Sequence, residues 1–305
     1  MTVAPFDPPL RVAFLGAAEL ERHFPSRCGW ASSSSVVVAP DGVEAAVAAT
    51  IALAPDVTVV ADPQDLPGAR LDLLPGVKIA MITPRSCSGG DASALARQLR
   101  AWPGSRHFDY FTWFEEPPRD LEDLPVLQVL PLPVDTERCL PMPQLELRRI
   151  LVPTWARPPP SCLARLRQCA EIVDLPPLVA PSAWSDALSA GGTLAYWSRG
   201  PLGRLDPLPL AALANGLLVI ANTPFPGPWG IEAEDEYLLR PGQDMLVRAV
   251  QESVHFPDTM RAVRVRAWQK VRECFSAETT FHRLVHDALL FRNPSLSKVG
   301  PGAPP

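Results

Sequence analysis

Arg199 and Arg204, five residues apart in "SRGPLGRLDP", are the side chains most suited to neutralising a phosphate or diphosphate. They precede Asp206 and Pro207, an N-cap and first-turn pair for the apolar helix "PLAALANG" (209–216). Free amides and the positive end of the helix dipole at such a start suit an anion, whereas Asp206 as a plain cap would compete for that place. Asn215-Gly216 stops the helix and the buried run "LLVIAN" (217–222) follows. The loop "NTPFPGPWG" (222–230) comes next, and Phe225 or Trp229 there could stack on a base or simply pack the loop.

In the first half the candidates for proton transfer are Asp62, at the end of "DVTVVAD", Asp91 after "TPRSCSGG", and His23. Each has a structural reading too: Asp62 as a turn former before Pro63, Asp91 as a helix N-cap. His282 and His286 lie four apart on one helical face, which as two ligands make a poor metal site. There is no Ser-His-Asp or thiolate–histidine pattern and no G-x-x-x-x-G-K. "FLGAAE" (14–19) has a lone glycine after a strand, which falls short of a dinucleotide fingerprint.

These residues must be positioned by α/β elements. Apolar runs at 11–16, 35–39, 56–62, 77–83, 108–114 and 126–130 alternate with helical patterns, clearest at 42–54 and 91–102. The runs scarcely alternate in polarity, as expected of parallel strands covered on both faces. After a turn-rich stretch the pattern restarts at "RILVPTW" (149–155), followed by a helix from a Ser161 N-cap through "CLARLRQCAEIV". Strands at 192–198 and 236–241 and helices at 243–254, 258–274 and 277–291 complete it. The fold class is thus α/β, two Rossmann-like doubly wound domains facing a cleft. The expected boundaries are 10–140, a linker at 141–148, 149–291, and a disordered tail at 292–305.

Composition supports a globular protein. The 305 residues are 47% hydrophobic, and the 37 prolines, about twice the usual share, fall mainly between apolar runs. A formal charge of −5 with interspersed signs gives no basic stripe and argues against a dedicated nucleic-acid binder. The arginine-rich helix "MRAVRVRAWQKVR" (260–272) reads as a solvated face, with an acidic partner or a membrane surface as the other use. Apolar runs of about ten residues are too short to span a bilayer, and no signal peptide is visible. Six scattered cysteines lack any C-x-x-C pair, which favours reduced packing thiols in a cytoplasmic protein.

The second half resembles the nucleotide-sugar-binding domain of GT-B glycosyltransferases. The resemblance is carried, in order, by "WS" (197–198), "PLAALANG" (209–216), "LLVIAN" (217–222), "PFPG" (224–227), "EDEYLLRPGQDMLVRAV" (234–250) and "VRECFSAETTFHRLV" (271–285). "VLPLPVDTERCLP" (129–141) is similar to the linker entry of the group 1, spore-maturation-protein-like branch. The resemblance implies a metal-independent, hexosyltransferase-type enzyme moving a sugar from a nucleotide-sugar donor to an unknown acceptor: a glycan, a protein or a small molecule. No cofactor beyond the donor is expected. It makes Arg199, Arg204, Asn215, Gly216, Pro224 and Gly227 donor-binding candidates and His23 an acceptor-side base. The pattern departs where the family carries a ribose-holding glutamate, here Ala211, and an acid eight residues earlier, here Gly203. A GT-B-like binding or scaffold protein without catalysis is the alternative reading, since fold alone does not carry function.

Overall fold

The computed structural model describes residues 9–16, 27–28, 31–37, 42–66, 70–82, 92–101, 108–112, 127–130, 134, 136, 146–176, 186–198, 208–225 and 227–292. The chain divides into two compact units, Met1–Pro131 with Ala277–Pro305, and Leu132–Ser276.

In the first unit the strands are β1 (Leu10–Gly16), β2 (Arg27–Cys28), β3 (Ala31–Val37), β4 (Val57–Ala61), β5 (Val77–Ile82), β6 (Asp109–Thr112) and β7 (Leu127–Val129). They form one sheet in the order β2-β3-β1-β4-β5-β6-β7, parallel except for the β2–β3 pair. Helices α1 (Val43–Ala52) and α2 (Ala92–Ala101) provide crossovers. Strand β4 is buried throughout, as two covered faces demand. Leu15, Val60, Ala80 and Ile82 share a core cluster with Ala46 and Val47 of α1 and with Leu99 of α2.

In the second unit β8 (Arg149–Pro153), β9 (Glu171–Leu175), β10 (Thr193–Tyr196), β11 (Leu218–Ala221) and β12 (Leu238–Leu239) form a wholly parallel sheet ordered β12-β11-β10-β8-β9. Its helices are α3 (Pro160–Cys169), α4 (Leu208–Ala214), α5 (Gln243–His255) and α6 (Pro257–Phe275). All seven residues of α4 are buried. Ile150, Val152, Ala195, Leu218 and Ile220 pack with Leu166 of α3 and Val247 and Val250 of α5.

Three expectations change. Helix α3 begins at Pro160 behind Pro159, so Ser161 lies inside its first turn and does not cap it; its hydroxyl meets Gln243 Oε1 at 3.1 Å. The helix stops at Cys169, and "EIVDL" is the edge strand β9, whose partly exposed, acid-bearing face hides it in a helical reading. The last helix, α7 (Ala277–Arg292), belongs with the first sheet, where it packs on β5 and Phe281 meets Phe14 at 6.1 Å between ring centroids. Sequence order alone put it in the second domain. Asp206, the N-terminal side of the expected linker and the tail from Asn293 lie outside the described residues. Among the described residues no helix is long and apolar enough to cross a membrane.

Candidate functional site

Strand order marks where each sheet can hold a ligand. A parallel sheet opens a crevice where successive connections leave a strand in opposite directions, at the carboxyl ends. In the second sheet the chain goes from β8 outward to β9, then returns past β8 to β10. Its switch point therefore lies between β8 and β10, and residues 154–157 and 197–198 leave the sheet there.

The edge is stitched by polar bonds. Trp197 N donates to Ala156 O at 2.9 Å, joining the two loops at the switch point. Asn222, one residue past β11, reaches across to the loop after β10. Its Oδ1 accepts from Ser198 N at 2.7 Å and its Nδ2 donates to Ser198 O at 2.8 Å. Arg157, in the loop after β8, donates to Asp174 Oδ1 on β9 at 2.8 Å, which holds its guanidinium at the carboxyl edge on the β9 side. Trp155, in the loop after β8, is 43% exposed. Arg240, just past β12, binds both carboxylate oxygens of Glu234. That hydrogen bond, more than its Coulombic attraction, holds the Glu234 carboxyl below its usual range.

The loop after β11 is built on its own aromatics. Phe225 and Trp229 are 5% and 6% exposed. Phe225 meets Tyr237 edge-on at 4.7 Å and Trp229 meets Phe275 at 5.8 Å. Both rings pack the loop, and neither offers a free face for base stacking. Phe225 N donates to Tyr237 Oη at 3.2 Å, and burial pushes the Tyr237 hydroxyl above its ordinary pKa. Pro224 and Gly227 remain exposed, with open space where a Gly227 side chain would stand.

Asn215 and Gly216 sit elsewhere. Helix α4 leaves the carboxyl edge and ends at the amino edge, where Leu218 N donates to Gly192 O at 3.0 Å. Gly216, at φ +72°, closes the helix: its N–H reaches Leu213 O at 2.9 Å and the next, Leu217 N–H, reaches Ala212 O at 3.0 Å. That is a Schellman cap needing a left-handed residue. Asn215 Nδ2 turns back to Ala211 O at 2.7 Å, and Arg264 Nε closes on Gly216 O at 2.6 Å. These residues finish a helix on the side of the sheet away from Pro224 and Gly227. Ala211 is buried within α4, so that helix presents no carboxylate.

In the first sheet the switch point falls between β1 and β4, since β3 flanks β1 on one side and β4 on the other. Gly16 ends β1 at φ +123°, and a Cβ there would meet Ala61 O at 2.9 Å. Asp62 ends β4 buried and left-handed, at φ 44° and ψ 62°. Its N–H still continues the ladder to Met81 O at 2.9 Å. A left-handed non-glycine residue costs about 1–2 kcal/mol, and such strain concentrates at functional sites.

Asp91, His23, Arg199 and Arg204 lie outside the described residues. Sequence reading missed Arg157, the Asn222–Ser198 clamp and the close approach of Gly16 to Ala61. Strand order would have pointed to all of them, but it emerges only from pairing. His282 and His286 stack at 5.1 Å, and among the described residues no group of three His, Cys, Asp or Glu could hold a metal.

Two mainly parallel, doubly wound sheets, the first unit completed by the last helix after the chain has built the second, define the GT-B fold. The solved structures bear this out. The chain is similar to Anabaena HepE in complex with UDP and glucose, at 11% identity and TM-score 0.57, over 91% of this chain and 99% of that one. It is similar to a glycosyltransferase from Rickettsia africae at 9% identity and TM-score 0.61, over 93% and 99%. Sucrose-phosphate synthase from Thermosynechococcus elongatus matches at 8% and TM-score 0.57, over 94% and 100%. No protein-family model matches the sequence, and no curated protein matches it.

Proposed function

We propose that this protein is a glycosyltransferase that moves a sugar from a nucleotide-sugar donor to an acceptor hydroxyl, without a metal or further cofactor. The observation that carries the reading is the β8/β10 switch point, walled by 154–157, 197–198 and the Asn222-held loop after β11. It occurs in a fold shared with HepE, which was solved with UDP and with UDP-glucose. Transfer breaks the bond from the anomeric carbon to the diphosphate, so the leaving charge must be neutralised and the acceptor proton removed. Arg157, with Arg199 and Arg204 on the segment after β10, supplies the positive charge, and the exposed turn at Pro224 and Gly227 borders the donor. With Ala211 in place of a carboxylate, the ribose is held by backbone groups of these loops.

Asp62 is the acceptor-side base favoured by its place at the first sheet's switch point, with Asp91 and His23 the other candidates. A cytoplasmic setting fits the reduced cysteines. Thermal shift against UDP-, GDP-, TDP- and CMP-sugars tests the reading. A donor at a hundredfold its Kd stabilises by about 2.7 kcal/mol. One nucleotide class should raise the melting temperature and release its nucleotide on incubation with acceptor mixtures. No shift with any donor at millimolar concentration would refute the proposal; binding without release or transfer would favour a scaffold role.

A further inference from the structure

Helix α1 is apolar on the side that faces water. Ala46, Val47 and Thr50 turn inward, while Ala45, Ala48, Ala49, Ile51 and Ala52 are exposed, and Glu44 in the first turn is its one charged residue. A surface helix ordinarily sets polar side chains outward, and one that is apolar all round is ordinarily covered on both sides. The apolar surface continues past the helix: Ile51 and Leu53 are each 40% exposed and Leu73 is 54% exposed. Leu73 lies in the single turn Leu71–Leu73, and Leu71 and Leu74 join the core beneath α1. The backbone holds this turn against the end of the helix. Val77 N donates to Asp56 O at 2.9 Å, Thr58 Oγ1 donates to Pro75 O at 2.9 Å, and a Cβ on Gly76 would stand 2.7 Å from Pro55 O.

Charge changes sign along this face. Helix α1 leaves β3 at the carboxyl edge of the sheet and ends at the amino edge, where β4 begins. At the carboxyl edge stand Glu44 and the exposed Asp65. At the amino edge, strand alternation puts Arg11 on the face of Leu15, and Lys78 on the face of Ala80 and Ile82, all residues of the core beneath α1. Arg11 meets Asp56 at 3.7 Å, Arg70 meets Asp72 at 3.0 Å, and Lys78 Nζ donates to Asp72 O at 3.1 Å. Arg11, Arg70 and Lys78 thus outnumber the two carboxylates of this corner, and the face runs from acidic to basic.

We propose that a second copy of this chain docks here, as a twofold dimer in which α1 packs antiparallel on its symmetry mate. A twofold interface joins one patch to itself, so the patch must complement its own reverse. Antiparallel packing about Ala48 does this: the Glu44 end of each face meets the Arg70 and Lys78 end of the other, and the apolar stretch between them is covered. A lipid surface fits less well, since Glu44 and Asp65 would oppose anionic headgroups and the face carries no aromatic anchor among the described residues. Ten residues of helix make a face about 15 Å long. With the 71–73 turn the buried area falls at the small end of specific interfaces, below about 1,200 Å² in total, and the dimer should dissociate on the order of 10 µM. The dimer does not depend on the function proposed above.

Sedimentation velocity of the full chain from about 1 to about 100 µM should show monomer passing into dimer as concentration rises. Ala48→Arg sets two like charges at the twofold axis and should leave monomer throughout. Its urea midpoint should match the wild type, because the site is exposed and arginine forms helix nearly as well as alanine. Glu44→Arg should weaken the dimer about tenfold, since each dimer holds that pair twice, and adding Arg70→Glu should restore it. A wild type that stays monomeric at about 100 µM, a dimer indifferent to Ala48→Arg, or a charge swap without recovery overturns the proposal. So does a monomer that floats with phosphatidylglycerol–phosphatidylcholine vesicles and loses them in Leu73→Ser, which would make the face a lipid surface.

Discussion

Replacing Asn222 by alanine should loosen the carboxyl edge of the second sheet without touching its core. The side chain makes two hydrogen bonds, from Ser198 N at 2.7 Å and to Ser198 O at 2.8 Å, in a partly buried setting. Each neutral bond contributes about 0.5–1.5 kcal/mol net, so together the loss is about 1–3 kcal/mol. Asn222 N still donates to Tyr196 O at 3.3 Å, so β11 keeps its place and the damage stays local. Amide exchange is the direct assay: Ser198 should exchange about 5- to 150-fold faster, while the β8 amides keep their protection. The urea midpoint should fall with an unchanged m-value. Asn222→Asp gives a sharper control. At neutral pH its carboxylate still accepts from Ser198 N but faces Ser198 O with no proton, and the second bond returns as pH falls below about 4. An alanine variant with unaltered Ser198 exchange and stability within about 0.5 kcal/mol would refute the clamp.

Four further outcomes follow from the geometry. Gly192→Ala should destabilise the second unit by more than about 1 kcal/mol in urea unfolding, because its Cβ would stand 2.6 Å from the Glu146 carbonyl. Asp62→Gly relieves the strain of φ 44°, since glycine adopts it freely, yet should abolish transfer if the carboxylate is the base; full activity would remove Asp62 from the chemistry. The Glu234 carboxyl is depressed by Arg240, so its contribution is complete above the ordinary carboxylate pKa and fades as pH falls through the lowered value. With the Glu234 carboxylate so exposed this amounts to less than about 1 kcal/mol, and Arg240→Ala should remove that acid-side dependence. Tyr237 is raised by burial, so its contribution is complete below about pH 10 and is lost as pH rises further. Tyr237→Phe should abolish that alkaline loss and cost about 1 kcal/mol through the orphaned Phe225 N–H.

Much of this fold was legible in the chain because buried parallel strands leave unbroken apolar runs. "VTVVA" and "VKIAMI" could hardly be anything else, and they fall within a residue or two of β4 and β5. What the sequence hid is equally physical. Strand β3 begins in "ASSSS", which has little intrinsic strand preference and forms because it is paired with β1 and β2. Strand β9 sits at an edge and carries Glu171 and Asp174, so its pattern blends with the helix before it. The site was legible in outline only. The loop 222–230 falls at the carboxyl edge as expected, but Gly216, conspicuous in sequence, finishes a helix at the opposite edge. Phe225 and Trp229 could stack on a ligand or pack the loop, and only their burial decides for packing. Arg157 follows an unremarkable "PTWA", and only the order β9-β8-β10 places it at the carboxyl edge on the β9 side.

The central claim is that a nucleotide sugar occupies the carboxyl edge of the second sheet. Amide hydrogen exchange with and without the donor nucleotide selected by the thermal-shift panel tests it most directly. Protection should rise at 154–157, 197–198 and 222–230 and stay unchanged at 190–192 and 215–217. Protection confined to the amino edge, or none in the second unit at saturating nucleotide, would contradict it.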